Sequence, residues 1–215
     1  SVKLWWESMQ MKYSLLWKSG DSNMKIGVLA VQGAFIEHEH TLQKLNVDFV
    51  EIRKKEHLKG IDGIILPGGE STVQGQLLKK LSILKPLTEM IQNGLPALAT
   101  CAGLILLADK IEPDSATHIG TLPVTVKRNA YGRQLSSFVA SSDLDGIGTC
   151  PMVFIRAPYI SAVSDGVKVL ATYDDHIVAV QYQNQIGLSF HPELTDDVRI
   201  HEYFINLIRS RFHVN

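Results

Sequence analysis

The stretch PALATCAGLILLA, residues 96–108, decides the fold class that this sequence predicts. It opens with Pro96 to Thr100, a short apolar run typical of a buried strand, and closes with Leu104 to Ala108, an apolar run that predicts a helix. Only Cys101-Ala102-Gly103 separates the two. Because small residues let a chain turn sharply, the stretch predicts a strand that runs directly into a helix.

The same alternation extends toward the amino terminus, where short apolar runs predict parallel strands joined by crossover helices. One helix follows Gly33 and another begins near Thr72. Beyond Ile119 the pattern changes to short β-like runs, and about Asp196 to Arg209 predicts a terminal helix. The other predicted strands are Ile26 to Val31, Asp48 to Ile52, Asp62 to Leu66, Leu122 to Arg128, Phe138 to Ala140, Met152 to Ile155, Val167 to Tyr173, His176 to Gln181 and Ile186 to Phe190.

The composition fits one α/β domain and argues against binding to polyanions. A chain of 215 residues with 45% hydrophobic residues can bury a sizeable core. We therefore predict a three-layer α/β/α fold with a central, mostly parallel sheet and an added antiparallel portion. The 21 Lys and Arg residues balance the 22 Asp and Glu residues, so no net charge attracts nucleic acid or an anionic membrane.

The cysteines and histidines predict neither a disulfide framework nor a metal site. Cys101 and Cys150 lie far apart, which favours a reducing, cytoplasmic environment, and we expect Cys150 to be structural. His38 and His40 point to different faces of a predicted helix, so we expect both to be solvated. No apolar run approaches the roughly 20 residues that span a bilayer.

Residues 1–23 differ from the rest of the chain. They contain all three tryptophans and no strand-like alternation, so we do not expect them to join the core. Charged residues interrupt the apolar stretch that a secretory signal needs. We predict that residues 1–23 are a non-native or disordered leader, with a functional extension as the alternative. The predicted domain covers residues 24–215.

Cys101 is the candidate nucleophile. A sharp turn at the end of a strand exposes the thiol, and the positive end of the helix dipole stabilises a thiolate there. The backbone amide of Ala102 would face the oxyanion that forms during attack. The alternative is a buried structural cysteine, which is the commoner fate of this residue type.

Two further segments supply the groups that such a nucleophile needs. In SFHPE, residues 189–193, His191 can move protons and Glu193 can orient its imidazole, although a surface turn would look the same. In PGGES, residues 67–71, Gly69 lets backbone amides approach a substrate oxygen. The alternative there is an ordinary glycine-rich connection, and the segment lacks the lysine of a nucleotide-binding loop.

Taken in order, these motifs resemble the class I glutamine amidotransferases, and among them the glutaminase subunits of pyridoxal 5′-phosphate synthases. The similar segments are Gly27 to Gly33, Leu66 to Thr72, Thr100 to Leu104, Val126 to Gln134, Phe154 to Pro158 and Ser189 to Leu194. The resemblance covers about residues 24–211. It departs from the usual pattern at Ala99 and at Val73 to Gln76, beside the glycine turn.

The resemblance implies that residues 24–215 form a glutaminase domain. It would hydrolyse L-glutamine to L-glutamate and ammonia and pass the ammonia to a separate barrel-shaped synthase subunit. The implied triad is Cys101, His191 and Glu193, with no metal and no cofactor in this subunit. The residues implied to form the oxyanion hole are Gly69 and Ala102, and those implied to contact glutamine are Gly69, Glu70, Ser71, Arg128, Ile155 and Arg156.

Three polar residues keep alternative roles. Arg128 and Arg156 both offer bidentate donors to a substrate carboxylate, and each can equally form a surface ion pair. We favour the binding role for Arg128 over Arg156, and for Arg156 backbone contacts from its own segment are an alternative of at least equal weight. Gln32 follows the first strand, at the edge where parallel sheets bind ligands. The resemblance implies that this region faces the synthase, and an ordinary loop residue is the alternative.

Two other functions stay open on the sequence alone. One is a different cysteine hydrolase of the same architecture, acting on γ-glutamyl peptides or as a peptidase. The other is an interaction subunit that keeps the fold while its catalytic residues are idle. The rate of reaction with different amides separates the first from a glutaminase, and labelling of Cys101 by a glutamine-like electrophile tests the second.

Overall fold

The computed structural model describes residues 24–114, 116–128 and 137–212, so the prediction for residues 1–23 lies outside the described residues. The strands in the described part are β1 (Lys25–Leu29), β2 (Asp48–Ile52), β3 (Gly63–Leu66), β4 (Ala97–Thr100), β5 (Ala108–Glu112), β6 (Leu122–Lys127), β7 (Ser137–Leu144), β8 (Gly148–Ile155), β9 (Tyr159–Val163), β10 (Lys168–Tyr173), β11 (His176–Tyr182) and β12 (Gln185–Leu188). The α-helices there are α1 (Phe35–Lys44), α2 (Ser71–Lys80), α3 (Leu84–Gln92), α4 (Ala102–Leu107) and α5 (Arg199–Phe212). Within these ranges no helix is long and apolar enough to cross a membrane.

Ten strands form one sheet, in the order β2-β1-β3-β4-β12-β11-β9-β6-β5, with β10 paired to β11. The five strands from β2 to β12 in this order run parallel. The pairs on the other side of β12 are antiparallel, except that β5 and β6 are parallel. Strands β7 and β8 form a separate antiparallel hairpin. The predicted parallel sheet with an antiparallel portion is confirmed.

Both faces of the parallel strands are covered by helices. In β3, the side chains of Ile64 and Leu66 pack with Leu78 of α2 and with α3, on one face of the sheet. The side chain of Ile65 points to the opposite face and packs with Phe204 of α5. Burial on both faces explains why these strands read as continuous apolar runs. The architecture is therefore the predicted α/β/α arrangement.

Three elements, α3, β5 and β9, are absent from the sequence prediction. Helix α2 ends at Lys80, and Ser82, with a φ of 56°, turns the chain before α3 begins. Helix α4 begins and ends earlier than predicted, so that Ala108 opens β5 instead of closing the helix. Asp109 and Lys110 interrupt the apolar pattern of β5, which is an edge strand of the sheet. Charged residues are common on edge strands because they discourage pairing with other chains.

Candidate active site

The carboxyl ends of four neighbouring parallel strands meet at one edge of the sheet. Strand β4 lies between β3 and β12, where Ala99 pairs with Leu66 and Thr100 pairs with Leu188. Strand β1 lies on the other side of β3. Connections that follow parallel strands project from the same edge, where ligands bind in open α/β sheets. The connections after β1, β3, β4 and β12 carry Gln32, Gly69, Cys101 and His191 respectively.

The turn at Cys101 has a strained backbone. Its φ is 49° and its ψ is −104°, a backbone conformation that residues other than glycine adopt only at a cost in free energy. The amide of Cys101 donates a hydrogen bond to the carbonyl of Leu188, 2.8 Å away, which ties the turn to β12. At Gly103 an added Cβ would collide with the carbonyl oxygen of Leu66, so the close approach requires glycine. The thiol lies 3.9 Å from the carbonyl oxygen of Ile155.

His191 and Glu193 are held as a hydrogen-bonded pair. The Nδ1 atom of His191 lies 2.6 Å from Oε1 of Glu193, and both side chains are almost fully buried. The backbone amide of His191 donates to the carbonyl of Val153 in β8, at 2.8 Å, which fixes the start of the turn. The imidazole packs directly against Gly68, where a side chain would collide with it. The short spacing of the two residues therefore brings imidazole and carboxylate together.

The electrostatics favour a charged imidazole beside Cys101. Burial lowers the pKa of His191, but hydrogen bonds with the Cys101 thiol and the Glu193 carboxylate outweigh burial and raise the pKa to about 10. Burial raises the pKa of Glu193, and the hydrogen bond and charge of His191 oppose that rise. Each group of the pair is therefore stabilised in its charged form by the other.

A cavity of about 540 Å³ opens above Cys101. It is large enough for a free amino acid, and its wall mixes backbone and polar side-chain groups. Glu193 lies behind His191 and outside this wall. The predicted site residues in the wall are Gln32, Gly69, Glu70, Ser71, Cys101, Ala102, Arg128, Ile155, Arg156 and His191. The lining residues without a predicted role are Ala34, Gly68, Ile105, Pro158 and Leu194.

The two arginines of the cavity differ. Arg128 is partly buried, and its guanidinium donates to a carboxylate oxygen of Asp114 at 2.8 Å. A guanidinium has five N–H donors, so this ion pair leaves donors for a second anion. Arg156 is exposed and has a φ of 41°, which turns its backbone sharply beside the cavity. Arg128 therefore presents free side-chain donors to the cavity, whereas at Arg156 the turned backbone lies beside it.

Gln32 joins two loops of the cavity wall. Its Oε1 accepts a hydrogen bond from the amide of Glu70 at 2.9 Å. Gln74, which is fully buried, donates from Nε2 to the carbonyls of Gln32 and Pro67 at 3.0 and 3.2 Å. The loop after β1 and the glycine turn after β3 therefore form one unit. The sequence marks Gln74 only as part of a departure from the family pattern, because nothing local predicts its distant partners.

One prediction about the histidines is wrong. His40 is exposed, as expected, but His38 has no exposed surface. The Nδ1 atom of His38 lies 2.9 Å from Nε2 of His201, which is also fully buried. Burial lowers the pKa of both imidazoles, that of His201 to about 4. Cys150 is a buried free thiol. Among the described residues, no three His, Cys, Asp or Glu side chains are grouped to hold a metal ion.

Comparison with known proteins identifies the family. A sequence model of the SNO glutamine amidotransferase family matches residues 28–210. The chain belongs to this family. The pyridoxal 5′-phosphate synthase subunit PdxT of Desulfitobacterium hafniense (strain Y51) is 58% identical over 186 residues, covering 86% of this chain and 94% of that protein. The protein of the same name from Streptococcus pneumoniae (strain ATCC 700669 / Spain 23F-1) is 51% identical over 192 residues, covering 87% and 100%.

A solved structure agrees with this membership of the glutamine amidotransferases. A crystal structure described as a glutamine amidotransferase superposes with a TM-score of 0.83 at 42% identity, covering 86% of this chain and 98% of that one. The α/β/α fold is therefore the fold of this family. Family membership makes the glutamine amide the group on which the chemistry has to act, and the Cys101 cavity is the candidate site for it.

Proposed function

We propose that the chain is the glutaminase subunit of a pyridoxal 5′-phosphate synthase. It hydrolyses L-glutamine to L-glutamate and ammonia at Cys101 and passes the ammonia to a barrel-shaped synthase subunit. The observation that carries this proposal is the strained turn that presents Cys101 beside the His191–Glu193 pair, inside a cavity of amino-acid size. The names of the PdxT relatives support the choice of partner and product.

The reaction follows from the positions of these groups. The Cys101 sulfur attacks the side-chain amide carbon of glutamine, a C–S bond forms, and the carbonyl electrons move to oxygen. The amide of Ala102, which opens α4 and has no intrahelical partner, and the amide of Gly69, in the turn after β3, stabilise that oxyanion. The C–N bond breaks as His191 protonates the nitrogen, and ammonia leaves. Water, deprotonated by His191, then attacks the thioester and releases glutamate and the thiol.

The raised pKa of His191 changes its role during the cycle. In the free site the imidazole is protonated beside the Cys101 sulfur, so it is ready to act as an acid. Acylation of Cys101 removes one of the two hydrogen bonds that raise this pKa. His191 then keeps only Glu193 and gives up its proton more readily. The same imidazole therefore serves as the acid for ammonia and as the base for water.

Glutamine is held at its two ends. The Arg128 guanidinium binds the substrate carboxylate with the donors that Asp114 leaves free. Backbone groups of Gly69, Glu70 and Ser71 and of the Ile155–Arg156 segment bind the remaining polar groups. The subunit needs no cofactor for this hydrolysis, because sulfur, imidazole and amides carry every step.

The synthase subunit docks where the glycine turn and Gln32 reach the surface. Ile36 and Val73 lie close in sequence to these loops and are 50% and 42% exposed, apolar surface that a partner can cover. The amide of Glu70 is bonded to Gln32 in this arrangement, so docking that moves Gln32 would change the donors available to substrate.

The glutaminase domain covers residues 24–215, preceded by a leader of residues 1–23, and the free cysteines favour a cytoplasmic location.

A pull-down combined with a glutaminase assay tests this proposal. The chain is mixed with the barrel subunit of a pyridoxal 5′-phosphate synthase, and glutamate release from glutamine is measured with and without that partner. We expect co-purification and a faster rate in the complex. Cys101→Ala should abolish release, and the matched Cys150→Ala variant should retain it. Glutamate release that persists in Cys101→Ala, or preference for γ-glutamyl peptides over glutamine, would contradict the proposal.

A further inference from the structure

Two imidazoles lie in the protein interior directly behind the carboxylate of Glu193. His38 comes from α1 and His201 from α5, and neither has exposed surface. The Nε2 atom of His38 lies 3.5 Å from Oε2 of Glu193 and 3.2 Å from Oγ1 of Thr100. Its Nδ1 atom lies 2.9 Å from Nε2 of His201. A continuous row of polar groups therefore leads from the cavity into the interior.

The second carboxylate oxygen of Glu193 makes this row informative. Oε1 is bonded to His191, whereas Oε2 is buried and has no hydrogen-bond partner in the described part of the chain. A buried anionic oxygen is costly unless a donor or a positive charge faces it. The His38 imidazole faces Oε2, with its Nε2 atom 3.5 Å away. Its protonation pattern therefore decides how well the carboxylate is held.

Only one arrangement of protons suits both histidines. If Nδ1 of His38 carried the proton, the bare Nε2 would face the carboxylate, and Nδ1–H of His201 would be a buried donor without an acceptor. If Nε2 of His38 carries the proton, an N–H points at Thr100 and Glu193, and His201 donates from Nε2 to His38. The unpartnered Nδ1 of His201 is then only a lone pair, and an unmet acceptor is less unusual than an orphaned donor.

We propose that His38 is a positioning residue of the glutaminase triad, which holds an Nε2–H toward the free oxygen of Glu193 while His201 fixes its tautomer. This inference rests on the proposed glutaminase function. His38 and His201 stay neutral because burial lowers the pKa of both. His38 lies outside the cavity wall and acts on the reaction through Glu193 and His191. Its removal should therefore lower kcat without changing KM.

Matched substitutions at position 38 identify the atom that matters. The amide nitrogen of Gln reaches about as far as Nε2 of histidine, whereas that of Asn reaches only as far as Nδ1. In the complex with the synthase subunit, we expect His38→Leu and His38→Asn to lower kcat about tenfold, because both remove the N–H donor that faces the buried charge of Glu193. His38→Gln should stay within roughly threefold of the wild type. His40→Gln, on the exposed face of the same helix, is the control.

A double-mutant cycle separates positioning from a general structural role. If His38 acts through the carboxylate, His38→Leu should change kcat less than about twofold in a Glu193→Gln background. An equal loss in both backgrounds, an effect confined to KM, or an unchanged kcat in folded His38→Leu overturns the inference. Should His38→Leu not fold, the rates of the Gln and Asn variants decide, because equal rates refute a role for Nε2.

A second readout is independent of glutamine and of the partner. Iodoacetamide alkylation of Cys101, followed by peptide mapping, reports how well the triad activates the thiol. We expect the same order of rates, with the wild type and His38→Gln fast and His38→Leu and His38→Asn slow. If the wild-type complex releases no glutamate, the proposed function fails, but the alkylation series still tests His38. Equal alkylation rates in all four proteins would refute the inference alone.

Discussion

Gly68→Ala is expected to disable catalysis while leaving the fold intact. Gly68 lies in the turn after β3, and its φ is outside the left-handed region, so alanine meets no backbone strain there. An added Cβ would lie 3.0 Å from Nδ1 of His191 and closer still to its Cε1 atom. Ordinary van der Waals contact begins at 3.4 Å, so the added methyl group would press against the His191 imidazole.

The expected loss of kcat in Gly68→Ala depends on how far the imidazole must move. To relieve the contact, the ring must retreat by on the order of 1 Å, a displacement that can cost about 100-fold in rate. The Nδ1–Oε1 hydrogen bond with Glu193, at 2.6 Å, and the hydrogen bond with Cys101 cannot both survive such a shift. We therefore expect kcat to fall about 100-fold and the free energy of unfolding to change by less than about 2 kcal/mol.

The assay is glutamate release by the complex, with urea unfolding in parallel. Gly60→Ala is the control, because its nearest neighbour would lie 3.9 Å from the new Cβ, although its φ of 74° strains alanine. That variant should lose stability, by about 1 kcal/mol, and keep its activity. Wild-type kcat in Gly68→Ala would refute the packing of His191 against this turn. A large loss of stability in Gly68→Ala would also count against the reasoning.

Two further predictions concern binding and pH. Arg128→Met should raise the KM for glutamine roughly 10- to 100-fold with little change in kcat, since it removes a charged partner of the substrate and no reacting group; an unchanged KM in steady-state assays would exclude that role. The free energy of unfolding should fall as pH drops from 6.5 toward 4, because His201 binds its proton near 6.5 when unfolded and only near 4 when folded. His201 alone accounts for a loss of about 3 kcal/mol over this pH range. Urea unfolding of His201→Leu should therefore show a smaller loss than the wild type. An equal pH dependence in the two proteins would contradict the burial of a neutral imidazole at position 201.

The parallel half of the fold could be predicted because its signals are local. Strand β2 has the predicted bounds, and β3 and β4 each begin one residue later than predicted. Runs of apolar residues indicate burial on both faces, and helices do cover the two faces of β3. Strand β5 escaped prediction because an edge strand with Asp109 and Lys110 has no continuous apolar run. Its pairing with β6 depends on tertiary packing.

The contacts of the candidate site also fall into those that local sequence predicts and those that only tertiary packing creates. The small residues around Cys101 predict a sharp turn, and the spacing of His191 and Glu193 predicts their contact, because each motif is complete within a few residues. The ion pair of Arg128 with Asp114 depends on the pairing of β5 with β6, which the sequence does not predict. The bonds of Gln74 to the loop after β1 likewise join elements far apart in sequence.

By itself, the sequence determined the strand-to-turn junctions and the residue types that they carry, because backbone conformation near Cys101 and His191 depends on immediate neighbours. Only the tertiary structure decided what lies behind them. His38 and His201 are separated by most of the chain, and helical periodicity placed His38 and His40 on different faces without showing which face is buried. The packing of α1 and α5 against the sheet turned His38 inward, so the environment of Glu193 is a property of long-range packing.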